Sequence, residues 1–446
     1  MRHLAALILC LPFIVPARMV HQGRIVDRLP MAPEERTALA KSGAAIPHYW
    51  PHPTGARTLA ALLVDFSDSP ADFTPAEVDS CLNQPGYSRF GNRGSIRDYY
   101  LDVSEGKLDL VYKVFGYYRA KKAKTYYENL GDYRGGDELM DEVISAFNST
   151  VDYKAFGTSG ESAINSIAIL YAGVEHDGDL WGTTSWSDLT VDGRTAGRAY
   201  WACIGKTEME IATFSHEMGH MLFNWPDLYN VPNAAGGVEA HCLMGAYADI
   251  HDPIPPNEAL RADQGWIDVV DLGSASKGVY KAAANAPSAY RFANPGKPEE
   301  AFYVVNRKNT GRYSSLGGRG MLIFHFDMDW NEVQDQDKAA IVMVQDQGKI
   351  KPPSNWAEPG WYFYGANTPE FSYASQAAGN DWHGGTRSGI RLHSISALAD
   401  TMTFAMGDIS VGVRGTGMKP GLAGSAGRDG YLVNGARRPT QGSRAR

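Results

Sequence analysis

A chain of 446 residues has enough material for two or three domains, each with its own core. Its 43% hydrophobic and 21% charged residues are the proportions of a folded globular protein, which excludes a membrane-embedded or wholly disordered chain. A formal net charge of −8 argues against general affinity for nucleic acid, because phosphate binding needs a basic face.

Met1-Arg2-His3 precedes the apolar run Leu4 to Ala17, and Val15-Pro16-Ala17 puts small residues where a signal peptidase cuts. Residues 1–17 therefore read as a signal peptide, and the protein as secreted or extracellular. The run is too short to span a bilayer, and no later stretch reaches 18 apolar residues, so no transmembrane segment is expected. Loss of the signal leaves Cys81, Cys203 and Cys242, an odd number. A Cys203–Cys242 bridge and three buried thiols both fit. Residues 18–54 are polar and Pro-rich, a pro-segment or a linker, without a cysteine that would plug a metal.

Thr58 to Phe66 is a continuous apolar run that suits a buried strand. Ser95 to Val103 reads as a short helix, Lys107 to Tyr112 as a strand after Gly106, and Ile167 to Tyr171 as a second buried strand. Between them, Asp137 is placed to cap a helix whose Leu139, Met140, Val143, Ile144 and Phe147 share one face. Strands alternating with helices indicate an α+β domain over 55–270.

The chemistry concentrates in His216-Glu217-Met218-Gly219-His220, the H-E-x-x-H pattern of zinc-dependent hydrolases. Residues four apart lie on one helix face, so both imidazoles can converge on one ion while Glu217 stands one step round. Thr207 and Glu210 fit a capping box at the helix start, and Pro226 stops the helix near Phe223 or Asn224. Asn224 tolerates the left-handed conformation of a helix end, and a turn there brings Asp227 back under the histidines as a third ligand, leaving the fourth zinc position for water.

Downstream, His241 to Tyr247 holds Met244 in a tight turn, similar to the methionine floor under a zinc site. From residue 273 to 409 short β-rich runs appear at Ala301–Asn306, Met321–Phe326, Ile341–Val344 and Thr401–Met406, separated by Gly-rich turns, which reads as a β-sandwich-like accessory domain. Trp356, Trp361, Tyr362, Phe363 and Tyr364 either stack on matrix or surface glycans or pack inside. Asp327, Asp329, Asp335 and Asp337 are candidates for a structural Ca2+, without the spacing of an EF-hand. Residues 410–446 are rich in Gly and Arg and read as a disordered tail.

These residues, taken in order, resemble the immune inhibitor A-type secreted metallopeptidases, a metzincin-like family with Asp as third ligand. The likeness rests on Leu63-Val64-Asp65-Phe66-Ser67-Asp68, Gly94-Ser95-Ile96-Arg97-Asp98-Tyr99-Tyr100 and Ser104-Glu105-Gly106-Lys107-Leu108. It continues through the metal helix, Pro226-Asp227-Leu228-Tyr229, Cys242-Leu243-Met244-Gly245 and Gly265-Trp266-Ile267. Phe302 to Arg307 and Gly320 to Asp327 extend it, so it covers roughly residues 58–407. The resemblance implies zinc on His216, His220 and Asp227, Glu217 as general base, Met244 in the Met-turn, and protein or peptide substrates.

The usual family spacing is one residue shorter where this chain has Phe223-Asn224-Trp225, so His241, Glu239 and Glu258 stay open as rivals for the third position. Tyr229, Tyr247 and His251 are candidates for the donor to the tetrahedral oxyanion, with Tyr247 preferred. Two other functions fit the sequence: a catalytically silent secreted protein binding matrix or carbohydrate, and a zinc hydrolase of non-peptide bonds.

Overall fold

The computed structural model describes residues 18–21, 24–25, 51–158, 161–175, 180–229, 238–327, 341–344 and 362–408. The stretches read as a signal peptide (1–17) and a disordered tail (410–446) lie outside these residues, as does most of 18–54.

Strand β3 (Gly55–Asp65) is apolar from Leu59 to Val64 because both of its faces are covered. Leu59, Ala61 and Leu63 enter one core, and Ala60, Leu62 and Val64 enter another. A strand without polar alternation is the signature of a sheet sandwiched between helices. That sheet has seven strands in the order β2-β1-β6-β7-β5-β3-β4. The remaining six are β1 (Arg18–His21), β2 (Arg24–Ile25), β4 (Leu108–Arg119), β5 (Ile167–Tyr171), β6 (Thr183–Val191) and β7 (Arg194–Cys203). β3 runs parallel to β4 and β5, and β5 to β7; β6 turns back antiparallel to β7. The other side of β6 is taken by β1, in parallel, with Met19 opposite Thr184.

Helices α1 (Pro75–Asn83) and α2 (Ile96–Val103) cover one face. Each starts at a capping box, Thr74 with Glu77 and Ser95 with Asp98, so two otherwise orphaned N–H groups are satisfied at each end. The short α3 (Lys124–Glu128) and then α4 (Arg134–Phe147) follow, and α4 packs Leu139, Met140, Val143 and Ile144 on the opposite face. Two expectations change here. Asp137 is not the cap of α4: the helix begins after Tyr133, which is left-handed at φ 57°, and Asp137 lies in the first turn, where a carboxylate suits the helix dipole. The strand expected at Lys107–Tyr112 continues to Arg119, because pairing with β3 carries it past the end of the apolar pattern.

After α5 (Ala212–Phe223) and α6 (Glu258–Asp263), strand β8 (Asp268–Asp271) leads into a β-rich region. Its five-stranded sheet has the order β13-β12-β11-β10-β8, built from β10 (Ser288–Asn294), β11 (Lys297–Arg307), β12 (Gly320–Phe326) and β13 (Ile341–Val344). A two-stranded sheet of β9 (Gly278–Ala283) and β14 (Thr401–Met406) shares a core with it, where Phe292, Phe302 and Ile323 meet Met402 and Phe404. Residues pointing the other way from the five-stranded sheet, among them Tyr303, Val305, Leu322 and Phe324, join the core of the first region with Trp225 and Trp266. The two regions are also joined by a buried ion pair, Arg307 on β11 with Glu258 on α6 at 2.6 Å.

The fold is thus mixed α and β with a further β-rich region. Cys81, Cys203 and Cys242 are free thiols, so the bridge from Cys203 to Cys242 is absent. Among the described residues, no helix is long and apolar enough to cross a membrane.

Candidate metal centre and active site

Helix α5 starts later than its sequence suggests. It begins at Ala212, and the capping box of Thr207 with Glu210 does not form. Glu210 caps alone: its carboxylate accepts from the N–H groups of Ala212 at 2.5 Å and Thr213 at 3.0 Å, with Thr207 left exposed in a bend. The helix is held from two sides. The Tyr100 hydroxyl on α2 donates to the Ser215 carbonyl at 2.7 Å, and the Arg198 guanidinium on β7 donates to the Met221 carbonyl at 2.8 Å.

At its far end the helix stops at Phe223, and Asn224 is left-handed at φ 54°, ψ 30°. Across this turn the rings of Phe223 and Trp225 stack 4.2 Å apart, and both meet Trp266 edge-on. The chain then turns back and carries Asp227 beneath the histidines.

His216 Nε2 and His220 Nε2 are 3.0 Å apart, and Asp227 Oδ1 lies 3.1 Å from each. All three side chains are buried. Ligands held at 2.0–2.2 Å in a tetrahedron around zinc stand about 3.3–3.5 Å from one another, so this triangle matches within a few tenths of an ångström. The outer ring nitrogens are fixed as well. His216 Nδ1 meets the Leu243 carbonyl at 3.0 Å and His220 Nδ1 the Trp225 carbonyl at 2.6 Å. A carbonyl can only accept, so each Nδ1 carries a proton, and in the neutral imidazole each Nε2 is left with a lone pair that suits an ion. Burial by itself pushes the Asp227 carboxyl up, but the charge of a protonated His220 and the hydrogen bonds from the two imidazoles outweigh it and hold it at about 2, so it is ionised and able to bind a cation that takes the proton's place.

His216, Glu217 and His220 form a cluster able to hold a metal ion. Glu217 is fully buried: its Oε2 accepts from the Thr184 hydroxyl on β6 at 2.6 Å, while its Oε1 has no hydrogen-bond partner among the described residues. A buried carboxylate oxygen left open costs about 1–3 kcal/mol or more unless something polar joins it, which fits a group that receives a water and its proton. Burial pushes the Glu217 carboxyl up to about 8, so it is the charge of a cation held beside it that would favour the ionised form a base needs. Thr184 had no signal in the sequence, because it lies 33 residues before Glu217 in a strand without a clean alternation.

Met244 lies directly under the helix. A Cβ on Gly219 would come within 2.5 Å of Met244 Sδ, so only glycine lets the two approach this closely. The Met244 carbonyl accepts from the Leu228 N–H at 2.7 Å, tying the turn to the residue after Asp227.

The oxyanion candidates separate. Tyr229 and Tyr247 flank His216 with ring centroids at 6.3 and 6.1 Å, whereas the His251 ring faces Glu208 at 3.8 Å. Burial, chiefly, pushes the Tyr247 hydroxyl well above its ordinary value, so it is a neutral donor. Of the rivals for the third position, Glu258 pairs with Arg307, and His241 sits 6.1 Å from the Tyr362 ring with burial pushing it down to about 3; neither these nor Glu239 belongs to the cluster of His216, Glu217 and His220.

The sequence leaves two readings of the β-rich region open. Tyr362 and Phe363 are fully buried and form no glycan-stacking surface, while Trp356 and Trp361 lie outside the described residues. Asp327 is engaged with Lys297 and His383; Asp329, Asp335 and Asp337 lie outside the described residues, and their reading as a Ca2+ site rests there.

No protein-family model matches the chain, and no curated protein matches it. Among solved structures it is similar to metalloproteinase-II from Bacteroides fragilis, at 13% identity and a TM-score of 0.21, over 45% of this chain and 50% of that one. The chain thus spans half the length of that protein, and an overlap this loose carries no argument about fold or activity.

Proposed function

We propose that the protein is a secreted zinc endopeptidase of the immune inhibitor A type, with a catalytic domain over 55–270 and an accessory β domain over 273–409. The observation that carries this reading is the near-equilateral array of His216 Nε2, His220 Nε2 and Asp227 Oδ1 beside the open oxygen of Glu217. In it, His216, His220 and Asp227 hold the ion. Zinc bound there supplies Lewis acidity, drawing the pKa of a water toward neutrality and polarising a carbonyl. Glu217 Oε1 takes the proton of the attacking water and delivers it to the leaving nitrogen. Thr184, holding the other oxygen, keeps that carboxylate in one orientation. Tyr247 donates to the oxygen that gains charge, from a buried position where such a hydrogen bond is strong.

An extended substrate would add to the sheet as a strand, which requires a free edge with unpaired backbone groups. The edge of β6 beside Thr184 is occupied by β1, so the 18–25 stretch is read as a pro-segment that must leave before a substrate strand enters.

The experiment is zinc analysis with cleavage of unfolded casein, comparing wild type with Glu217→Gln. The variant should keep about one zinc at this centre while turnover drops by roughly 10²–10⁴-fold, the usual worth of a general base. Full activity in the variant, or wild-type protein that cleaves casein without metal, would overturn the reading.

A further inference from the structure

A second group of imidazoles and carboxylates lies in the β-rich region, far along the chain from the first. Glu300 on β11, His325 on β12 and His383 in a turn bring one ligand atom each within 4.8 Å of one another. Asp327, just past β12, closes the group. His325 Nε2 is 2.8 Å from Glu300 Oε1, and His383 Nδ1 is 2.9 Å from Asp327 Oδ2 and 3.8 Å from Glu300 Oε1. Glu300, His325 and Asp327 are buried, and His383 is partly exposed.

We propose that Glu300, His325, Asp327 and His383 form a second divalent-cation site, of a kind suited to zinc, that staples the turn around His383 to strands β11 and β12. The arrangement of the carboxylates is the reason. Each has its outer oxygen held by a neighbour, Glu300 Oε2 by the Asn294 amide at 2.7 Å and Asp327 Oδ1 by the Lys297 ammonium at 2.6 Å. Their inner oxygens are thereby aimed at the two imidazoles, which is the outer-shell pattern that orients metal ligands. Two imidazole nitrogens and two carboxylate oxygens are a set that a tetrahedral zinc accepts. The His383 N–H also donates to Glu300 Oε1 at 2.6 Å, which fixes the turn close to the site. The rings of His325 and His383 stack at 4.2 Å and 27°. Near-parallel rings do not share one in-plane point, so binding tilts the His383 ring out of the stack, a movement open to the partly exposed member of the pair.

The test uses the full chain with His216→Ala and His220→Ala, which removes the imidazoles of the first centre whatever its activity. The protein is stripped with chelator, refilled with Zn2+, desalted and counted for metal. One zinc per chain is expected, together with a higher melting temperature in Zn2+ than in chelator; both are lost on adding His383→Ala. If that background does not fold, the wild-type count should fall from two to one on His383→Ala, with unchanged circular dichroism. A background that binds no zinc, or a count and melting shift that survive His383→Ala, overturns the proposal in favour of two ion-free imidazole–carboxylate hydrogen bonds.

Discussion

Asn224→Ala should weaken zinc binding at the first centre while leaving the protein folded. Asn224 sits at φ 54°, ψ 30°, a region that asparagine and glycine enter readily but that costs most residues about 1–2 kcal/mol. The helix before it is pinned by Tyr100 and Arg198, so the strain is relieved most easily in the turn after it. Opening that turn takes Asp227 Oδ1 away from its 3.1 Å contacts with the two imidazoles. If the whole strain appears in binding, zinc affinity falls about 5- to 30-fold, since 1.4 kcal/mol is a factor of ten. The assay is competition for zinc against a chromophoric chelator, with Asn224→Gly in parallel. Glycine removes the side chain without the conformational penalty, so it should hold zinc more tightly than the alanine variant. Wild-type affinity in Asn224→Ala, or the same loss in both variants, would refute the reasoning.

Thr184→Val should keep zinc content and lower turnover about tenfold or more, because it removes a 2.6 Å hydrogen bond to a buried carboxylate; an unchanged kcat would show that Glu217 needs no such support. Gly219→Ala should lower stability by about 1–3 kcal/mol in denaturant unfolding, although helix propensity alone favours alanine, because the new Cβ meets the fully buried Met244; a stabilised variant would contradict the packing. Glu258→Ala should destabilise by about 3–5 kcal/mol by stranding the Arg307 charge in the interior, measured by chemical denaturation, and a loss under 1 kcal/mol would contradict this. Burial raises the Glu258 carboxyl, but the charges of Arg307 and Arg261 outweigh it and hold the carboxyl below its ordinary value. Its stabilisation is therefore present above the unfolded pKa of about 4.3 and is lost as pH falls through the lower folded value. Wild type should lose stability on acidification below about pH 4.3, and Glu258→Gln should lose less; equal acid slopes would refute the linkage.

Local pattern was enough where one segment carried its own information. The spacing of His216 and His220 on a single helix, the stop imposed by Pro226 and the left-handed tolerance of Asn224 are properties of adjacent residues, and the helix end follows from them. The unbroken apolar run in β3 announces a strand covered on both faces for the same reason. What the sequence by itself determined was therefore the metal helix, its end, and the buried strands around it. The contacts that make the helix a site were decided by tertiary structure. Thr184 reaches Glu217 from a different strand, and Leu243 orients His216 from a later turn. Glu300, His325 and His383 meet only because a turn folds back on two paired strands. Such pairs lie tens of residues apart, their approach is set by sheet order and packing, and no local periodicity encodes which distant side chain arrives.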